Sequence, residues 1–280
     1  MKKLSVVLAT RNEELNIERC LKAVEQIADE IIIFDEYSTD RTKEIAEKFG
    51  AQVFLEPHHD IFHITKQKAL EKAKGDWILQ LDADEVVTKE LAGEILEVLD
   101  EKHVPIVNKL FKKHTELIEM RDGKIGKATG EIVGYFIPRR NIFLGKPLVH
   151  AGVYPDGVIR LVKKDKAWFP QKSVHEQISL EGEVSWLSND LEHYDSPTFK
   201  RYLARLNRYT DLIAKEFKDQ KIPKNLIYLL TYTTWKPFLT FISLYIRHKG
   251  ILDGMQGFVW SFFSAMRFPI AYFKYWIEKG

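Results

Sequence analysis

The chain has 280 residues, 45% hydrophobic and 29% charged, with a formal net charge of +2 and one cysteine, Cys20. This composition excludes disordered, collagenous and disulfide-built chains, and a lone cysteine forms no internal bridge, which favours a reducing compartment. The near-neutral total conceals a split: residues 196–280 carry 14 Lys and Arg against 5 Asp and Glu, residues 1–195 carry 28 against 35, and 19 of the 34 aromatic residues lie in the last 85, which argues against nucleic-acid binding along the chain and for a soluble body with a membrane-surface or partner-binding end.

At the start, Met1-Lys2-Lys3 precedes an apolar run of only Leu4 to Ala9 before Arg11, Glu13 and Glu14. A secretory signal needs about 7–15 apolar residues and a small-residue cleavage site, so 4–9 reads instead as a buried strand. Further strands are predicted at 30–34, 51–55 and 76–81. Helices are predicted between them. Residues 13–26 carry a stripe of Leu15, Cys20, Leu21 and Val24. Residues 40–49 open on Asp40 as N-cap and stop at Gly50, and 64–74 stop at Gly75. A helix over 88–101 follows. Short apolar strands alternating with helices of about ten residues predict an α/β fold with a parallel sheet covered by helices.

Residues 102–195 read differently. Strand-like pieces at 132–137 and 157–162 predict mixed, antiparallel additions to the sheet, and the periodicity fades over 103–130, which predicts a mobile loop. From residue 196 the pattern is helical and aromatic. Residues 198–218 read as an amphipathic helix with basic positions at Lys200, Arg201, Arg205 and Arg208. The stretch 226–246 is long enough to span a bilayer but is broken by Lys236-Pro237, and 257–277 contains Arg267 and Pro269. Interrupted aromatic segments flanked by cations predict helices lying in the membrane interface. A buried helical subdomain and a transmembrane pair are the two other readings. The expected division is 1–195 and 196–280.

Ligands of open α/β sheets bind beyond the carboxyl ends of the strands. Those ends here read Thr10-Arg11-Asn12-Glu13, Asp35-Glu36-Tyr37-Ser38-Thr39-Asp40 and Asp82-Ala83-Asp84-Glu85. Two carboxylates one residue apart, directly after an apolar strand, suit a hard divalent cation, and magnesium or manganese held so bridges a diphosphate that carboxylates alone would repel.

Residues 4–14, 35–42 and 75–85 resemble, in order and spacing, the successive motifs of family 2 glycosyltransferases. That resemblance implies a GT-A, Rossmann-like mixed sheet flanked by helices over 1–195, a nucleotide-diphosphate sugar donor, and a divalent cation, Mg2+ or Mn2+. The second motif departs from the family pattern, because Glu36-Tyr37 replaces small residues. Tyr154-Pro155-Asp156-Gly157-Val158-Ile159-Arg160-Leu161, Val174-His175-Glu176 and Gly250-Ile251-Leu252-Asp253-Gly254 are similar to the bacterial lipopolysaccharide-core branch.

Carried over by position, the resemblance implies that Thr10, Arg11 and Glu13 line the nucleotide pocket and that Asp35 bonds base or ribose. Asp82 faces the ribose or a metal-bound water, Asp84 binds the metal, with Asp82 and His175 completing the metal set, and Arg160 adds charge to the diphosphate side. Glu176 is the general base, with Asp156 as the other candidate. Arg139-Arg140 contact an anionic acceptor or form a solvated face. The implied protein is an inverting, hexosyltransferase-like enzyme of cell-envelope lipopolysaccharide biosynthesis. It acts on a lipid-linked or lipopolysaccharide-type acceptor and is cytoplasmic, peripherally associated with the inner face of the membrane through its tail, with no nucleic-acid partner. Two other readings of the residues are an aspartate-nucleophile phosphohydrolase, whose D-x-D normally sits on the first strand, and a non-catalytic membrane-associated nucleotide-sugar-binding module.

Overall fold

The computed structural model describes residues 2–105, 108–170 and 178–277. The chain divides into two units, residues 1–139 with 155–193 and residues 140–154 with 194–280. The second unit thus takes in a segment, 140–154, remote in sequence from the tail.

The first unit opens with β1 (Leu4–Thr10), α1 (Ile17–Val24), β2 (Glu30–Asp35), α2 (Thr42–Lys48), β3 (Gln52–Leu55), α3 (His63–Lys72) and β4 (Trp77–Leu81). It continues through β5 (Glu85–Val87), α4 (Lys89–Leu99), α5 (Lys109–Asp122), β6 (Ile132–Phe143), β7 (Lys146–Leu148), β8 (Asp156–Lys163), β9 (Ala167–Trp168), β10 (Ser179–Leu180), β11 (Glu183–Trp186) and β12 (Leu191–Ser196), of which β7 and the ends of β6 and β12 belong to the second unit. The sheet order is β3-β2-β1-β4-β8-β6-β12-β5. β1 pairs parallel with both β2 and β4, whereas β8 runs antiparallel to β4 and to β6.

β1 is buried at every residue, which is why it reads as a continuous apolar run rather than an alternating one. Its side chains still alternate between faces. Leu4, Val6 and Leu8 pack with Cys20 and Leu21 of α1 and with Leu91 and Ile95 of α4, while Val7 joins Ile32, Ala69, Ile78 and Phe136 on the other face. Gly75 lets the turn before β4 lie against β1, where a Cβ would fall 2.7 Å from the Ser5 amide nitrogen.

Three local expectations change. α1 begins at Ile17, so Leu15 lies outside its stripe and is exposed. α2 begins at Thr42, with the Asp40 carboxylate still accepting the Thr42 N–H at 3.0 Å. The segment predicted as a loop contains α5. Phe111 of that helix stacks on Trp186 at 4.5 Å, the Trp186 indole N–H donates to Thr115 Oγ1 at 2.9 Å, Asn108 caps the Leu110 N–H at 2.8 Å, and Gly123 leaves the helix at φ 91°. It buries only Phe111 and Ile118 and leaves Leu110, Leu117 and Met120 exposed, so no single apolar stripe marks its buried face, and tertiary packing supplies the rest.

In the second unit β6 and β7 form a hairpin, Asn141 opposite Leu148. The helices are α6 (Phe199–Asp219), α7 (Leu226–Leu230), α8 (Lys236–Ile242) and α9 (Gly254–Ile277), with π-helical turns at Thr231–Trp235 and Ser243–Arg247. Pro237 follows just after the first π-helical turn, inside a helical run in which Trp235 and Lys236 keep right-handed helical backbone. Phe217, Tyr232, Ala271, Tyr272 and Tyr275 form one core, and Phe143, Leu148 and Tyr202 with Trp260 form another. No helix among the described residues is long and apolar enough to cross a membrane.

Candidate functional site

The register brings the three polar loops to one edge. Thr10 lies opposite Asp35, and Leu8 opposite Leu81, so the loops after β1, β2 and β4 leave the sheet side by side. β2 and β3 lie on one side of β1 and β4 on the other, so the strand order reverses here, the place where open α/β sheets bind their ligands.

Asp35 is buried, and three hydrogen bonds hold its carboxylate. Its Oδ2 accepts from the Thr10 hydroxyl at 2.8 Å and the Ser38 hydroxyl at 2.6 Å, and its Oδ1 accepts from the Ser38 N–H at 2.7 Å. The first two loops are tied together. The Asn12 N–H donates to Ser38 Oγ at 2.8 Å, the Thr39 N–H to Asn12 Oδ1 at 2.8 Å, and the Glu13 N–H to Thr42 Oγ1 at 2.7 Å. Asn12 and Tyr37 hold left-handed backbone at φ 56° and 48°, which costs about 1–2 kcal/mol for a side chain such as Tyr37. Arg11 is exposed, and Glu13 accepts from the Asn16 amide at 2.8 Å. Glu36 turns inward, where it takes the Thr65 hydroxyl at 2.5 Å and faces His58 Nδ1 at 2.6 Å.

Behind the third loop runs a ladder of alternating charge. Asp82 faces Lys66 Nζ at 2.5 Å on Oδ1 and Arg160 at 2.6 Å on Oδ2. Arg160 also donates to Glu85 at 2.7 Å and to Gln80 Oε1 at 2.5 Å. Glu85 is fully buried. Its Oε1 also accepts from Arg139 at 3.3 Å, and its Oε2 accepts the Asp82 N–H at 3.0 Å. Arg139 reaches on to Asp156 Oδ2 at 2.7 Å. Three cations therefore alternate with three carboxylates, the condition under which buried charge is tolerated. Burial works to raise the Asp82 pKa, but Arg160 and Lys66 outweigh it and hold the group well below the usual carboxylate range. Burial works to lower the Arg160 pKa, and Asp82 and Glu85 reverse it upward.

Asp84 points to a different partner, with its Oδ2 lying 3.5 Å from His193 Nε2 of β12. Burial raises its pKa and the His193 contact more than offsets this, so the net direction is downward. The carboxylate oxygen suits Mg2+ or Mn2+, and the imidazole nitrogen favours the softer Mn2+ of the two, so this pair fits the implied cation as Mn2+. Asp82, by contrast, already carries a cation on each oxygen. His175 and Glu176 lie outside the described residues.

Of the residues expected from sequence, Thr10 and Asp35 meet directly, as do Asp82 and Arg160, and Asp156 joins them through Arg139 and Glu85. Sequence reasoning missed Lys66, Glu85 and His193 as participants. The Lys66 and His193 contacts are long-range, with no spacing to announce them. Glu85 sat in the motif itself.

The family model for glycosyl transferase family 2 matches residues 5–152. An uncharacterized glycosyltransferase of Rickettsia bellii is 29% identical over 273 residues, 92% of this chain and 81% of the relative. A lipopolysaccharide core biosynthesis glycosyltransferase, LpsC of Rhizobium meliloti, is 26% identical over 279 residues, 94% of this chain and 91% of the relative. The solved structure of S. aureus TarS 1-349 in complex with UDP-GlcNAc is 16% identical, covering 92% of this chain and 79% of that one, with a TM-score of 0.42.

Proposed function

The chain belongs to glycosyl transferase family 2, and from that premise we propose that it moves a sugar, with inversion, from a nucleotide-diphosphate sugar to a hydroxyl of a lipid-linked or lipopolysaccharide-type glycan. The observation that carries this reading is the convergence, at one sheet edge, of the Thr10–Asp35 pair with the Asp82-Ala83-Asp84 loop.

Asp35, fixed by three short hydrogen bonds, is a rigid acceptor for base or ribose, with Arg11 and Glu13 on the adjoining loop. Lys66 and Arg160 fix the Asp82 rotamer, which leaves that carboxylate pre-organised for the ribose. Asp84 and His193 are the residues that hold the divalent cation, with His175 as a further ligand. When bound, the cation neutralises charge on the leaving diphosphate. A base takes the proton of the acceptor hydroxyl while that oxygen bonds to the anomeric carbon and the bond from that carbon to the diphosphate oxygen breaks. Glu176 is the first assignment for this base. Asp156, paired with Arg139, is the second, because an ion-paired carboxylate is the poorer proton acceptor.

The acceptor class is supported by the relative named for lipopolysaccharide core biosynthesis and by the basic, aromatic second unit. The same features support a peripheral seat on the inner face of the cell membrane.

The experiment is donor turnover by the full chain across a panel of nucleotide sugars, with and without Mn2+. Asp84→Asn is expected to abolish metal-stimulated turnover, and replacing the true base, by Glu176→Gln or Asp156→Asn, is expected to lower transfer by about 10²–10⁴-fold. Release of phosphate from simple esters without any nucleotide-sugar binding overturns the proposal, as does full activity of Asp84→Asn.

A further inference from the structure

Among the described residues, the second unit from residue 220 onward presents no exposed carboxylate and has a defined tip. Between residues 220 and 277 the sequence has seven Lys and Arg and a single carboxylate, Asp253. That carboxylate does not reach the surface: its side chain is 4% exposed, and it accepts the His150 N–H at 2.8 Å and faces His150 Nδ1 at 2.7 Å. The pair pins the 140–154 hairpin to the turn between the two tail segments, and the Ala151 N–H bonds to the His248 carbonyl at 2.9 Å beside it.

With Asp253 withdrawn, Arg247, His248 and Lys249 stand exposed with no opposing acid on the turn. Lys249 at φ 57° and Gly254 at φ 62° give the turn its sharp reversal. Around these three residues Ile246, Ile251, Leu252 and Met255 are each more than half exposed. An apolar stripe runs on from the tip through Ile242, Phe238, Trp235, Leu230 and Ile227. Its one five-residue step, Leu230 to Trp235, falls in the π-helical turn, so the wider winding keeps the stripe on one face.

We propose that residues 246–255 are a lipid-reading tip: Arg247, His248 and Lys249, with His150 at their side, receive the phosphate of an anionic phospholipid headgroup while Ile251, Leu252 and Met255 enter the acyl boundary. The inference deepens, and rests on, the reading of the second unit as membrane-associating. Charge complementarity selects the occupant. An acidic protein would satisfy the cations, but a stripe of large apolar residues continuing from them suits the layered headgroup and acyl chemistry of a bilayer.

The test is co-sedimentation of the full chain with phosphatidylcholine vesicles with and without phosphatidylglycerol. Arg247→Gln with Lys249→Asn removes two charges, Asn tolerating the left-handed position, and is expected to weaken binding to phosphatidylglycerol vesicles by about fivefold per charge, about 25-fold together. Leu252→Ser with Met255→Ser is expected to weaken it as well, with an unchanged circular dichroism spectrum for both variants. Wild-type binding by both variants overturns the tip while leaving the membrane-associating reading intact. Failure of the wild-type chain to bind either vesicle overturns both. Equal affinity for the two vesicles, release by inorganic phosphate alone, or a solution dimer that buries the tip each overturns the lipid assignment.

Discussion

Glu85→Gln tests the charge ladder most directly. The substitution keeps side-chain volume and removes one charge from a fully buried position. In the wild type Oε1 of Glu85 accepts from Arg160 and Arg139, and Oε2 accepts the Asp82 N–H. A glutamine supplies one oxygen and one NH2, so either the guanidiniums or the amide face a donor in every orientation. The two arginines and Lys66 are then left with only Asp82 and Asp156. Loss of one partner from a buried ion pair costs about 3–5 kcal/mol, well above the at most ~1 kcal/mol of an exposed pair. At about 2–4 °C per kcal/mol for a unit of this size, the transition carrying the first unit should fall by about 6–20 °C. Thermal and urea unfolding followed by circular dichroism reads this, and a cycle with Arg139→Gln should return a coupling energy of about 0.5–3 kcal/mol. An unfolding midpoint for Glu85→Gln equal to wild type would refute the ladder as a stabilising element.

Acid stability depends in part on Glu94. Burial works to raise its pKa, but the N–H groups of Ser188 and Asn189, at 2.7 and 2.9 Å, bring it below the ordinary value. The folded state therefore binds fewer protons there than the unfolded one, so this contribution is complete above the unfolded pKa of about 4.3 and is lost as pH falls through the folded value. Glu94→Gln should flatten the acid limb of a stability–pH curve, and an unchanged limb would contradict this. In the second unit, Gly257→Ala would set a Cβ 1.8 Å from the Gly250 carbonyl oxygen, a backbone clash no rotamer relieves. Chemical denaturation should show a loss of at least about 1–3 kcal/mol, the range for overpacking, and wild-type stability would mean that the α9 start does not pack as described.

Much of the first unit was legible because its signals are local. β1, β2 and β4 announce themselves as apolar runs, and Gly50 and Gly75 mark ends that the structure keeps. α5 was not legible, since a helix that buries only Phe111 and Ile118 is stabilised by Trp186 from a distant strand. Strand β5 is three residues long and exists by pairing with β12, so no run of its own length could reveal it.

The candidate site divides along the same line. The sequence by itself determined the family, the order of strands and loops, and the carboxylates at the strand ends, because β1, β2 and β4 are buried runs whose apolar residues give way to charge at the sheet edge. Only the tertiary structure decided which partner each carboxylate holds: Lys66 and Arg160 on Asp82, His193 on Asp84, and His150 on Asp253. A buried carboxylate needs a compensating cation or hydrogen-bond donors, but that requirement does not specify where in the chain they come from. Sheet pairing and helix packing bring them from tens to a hundred residues away.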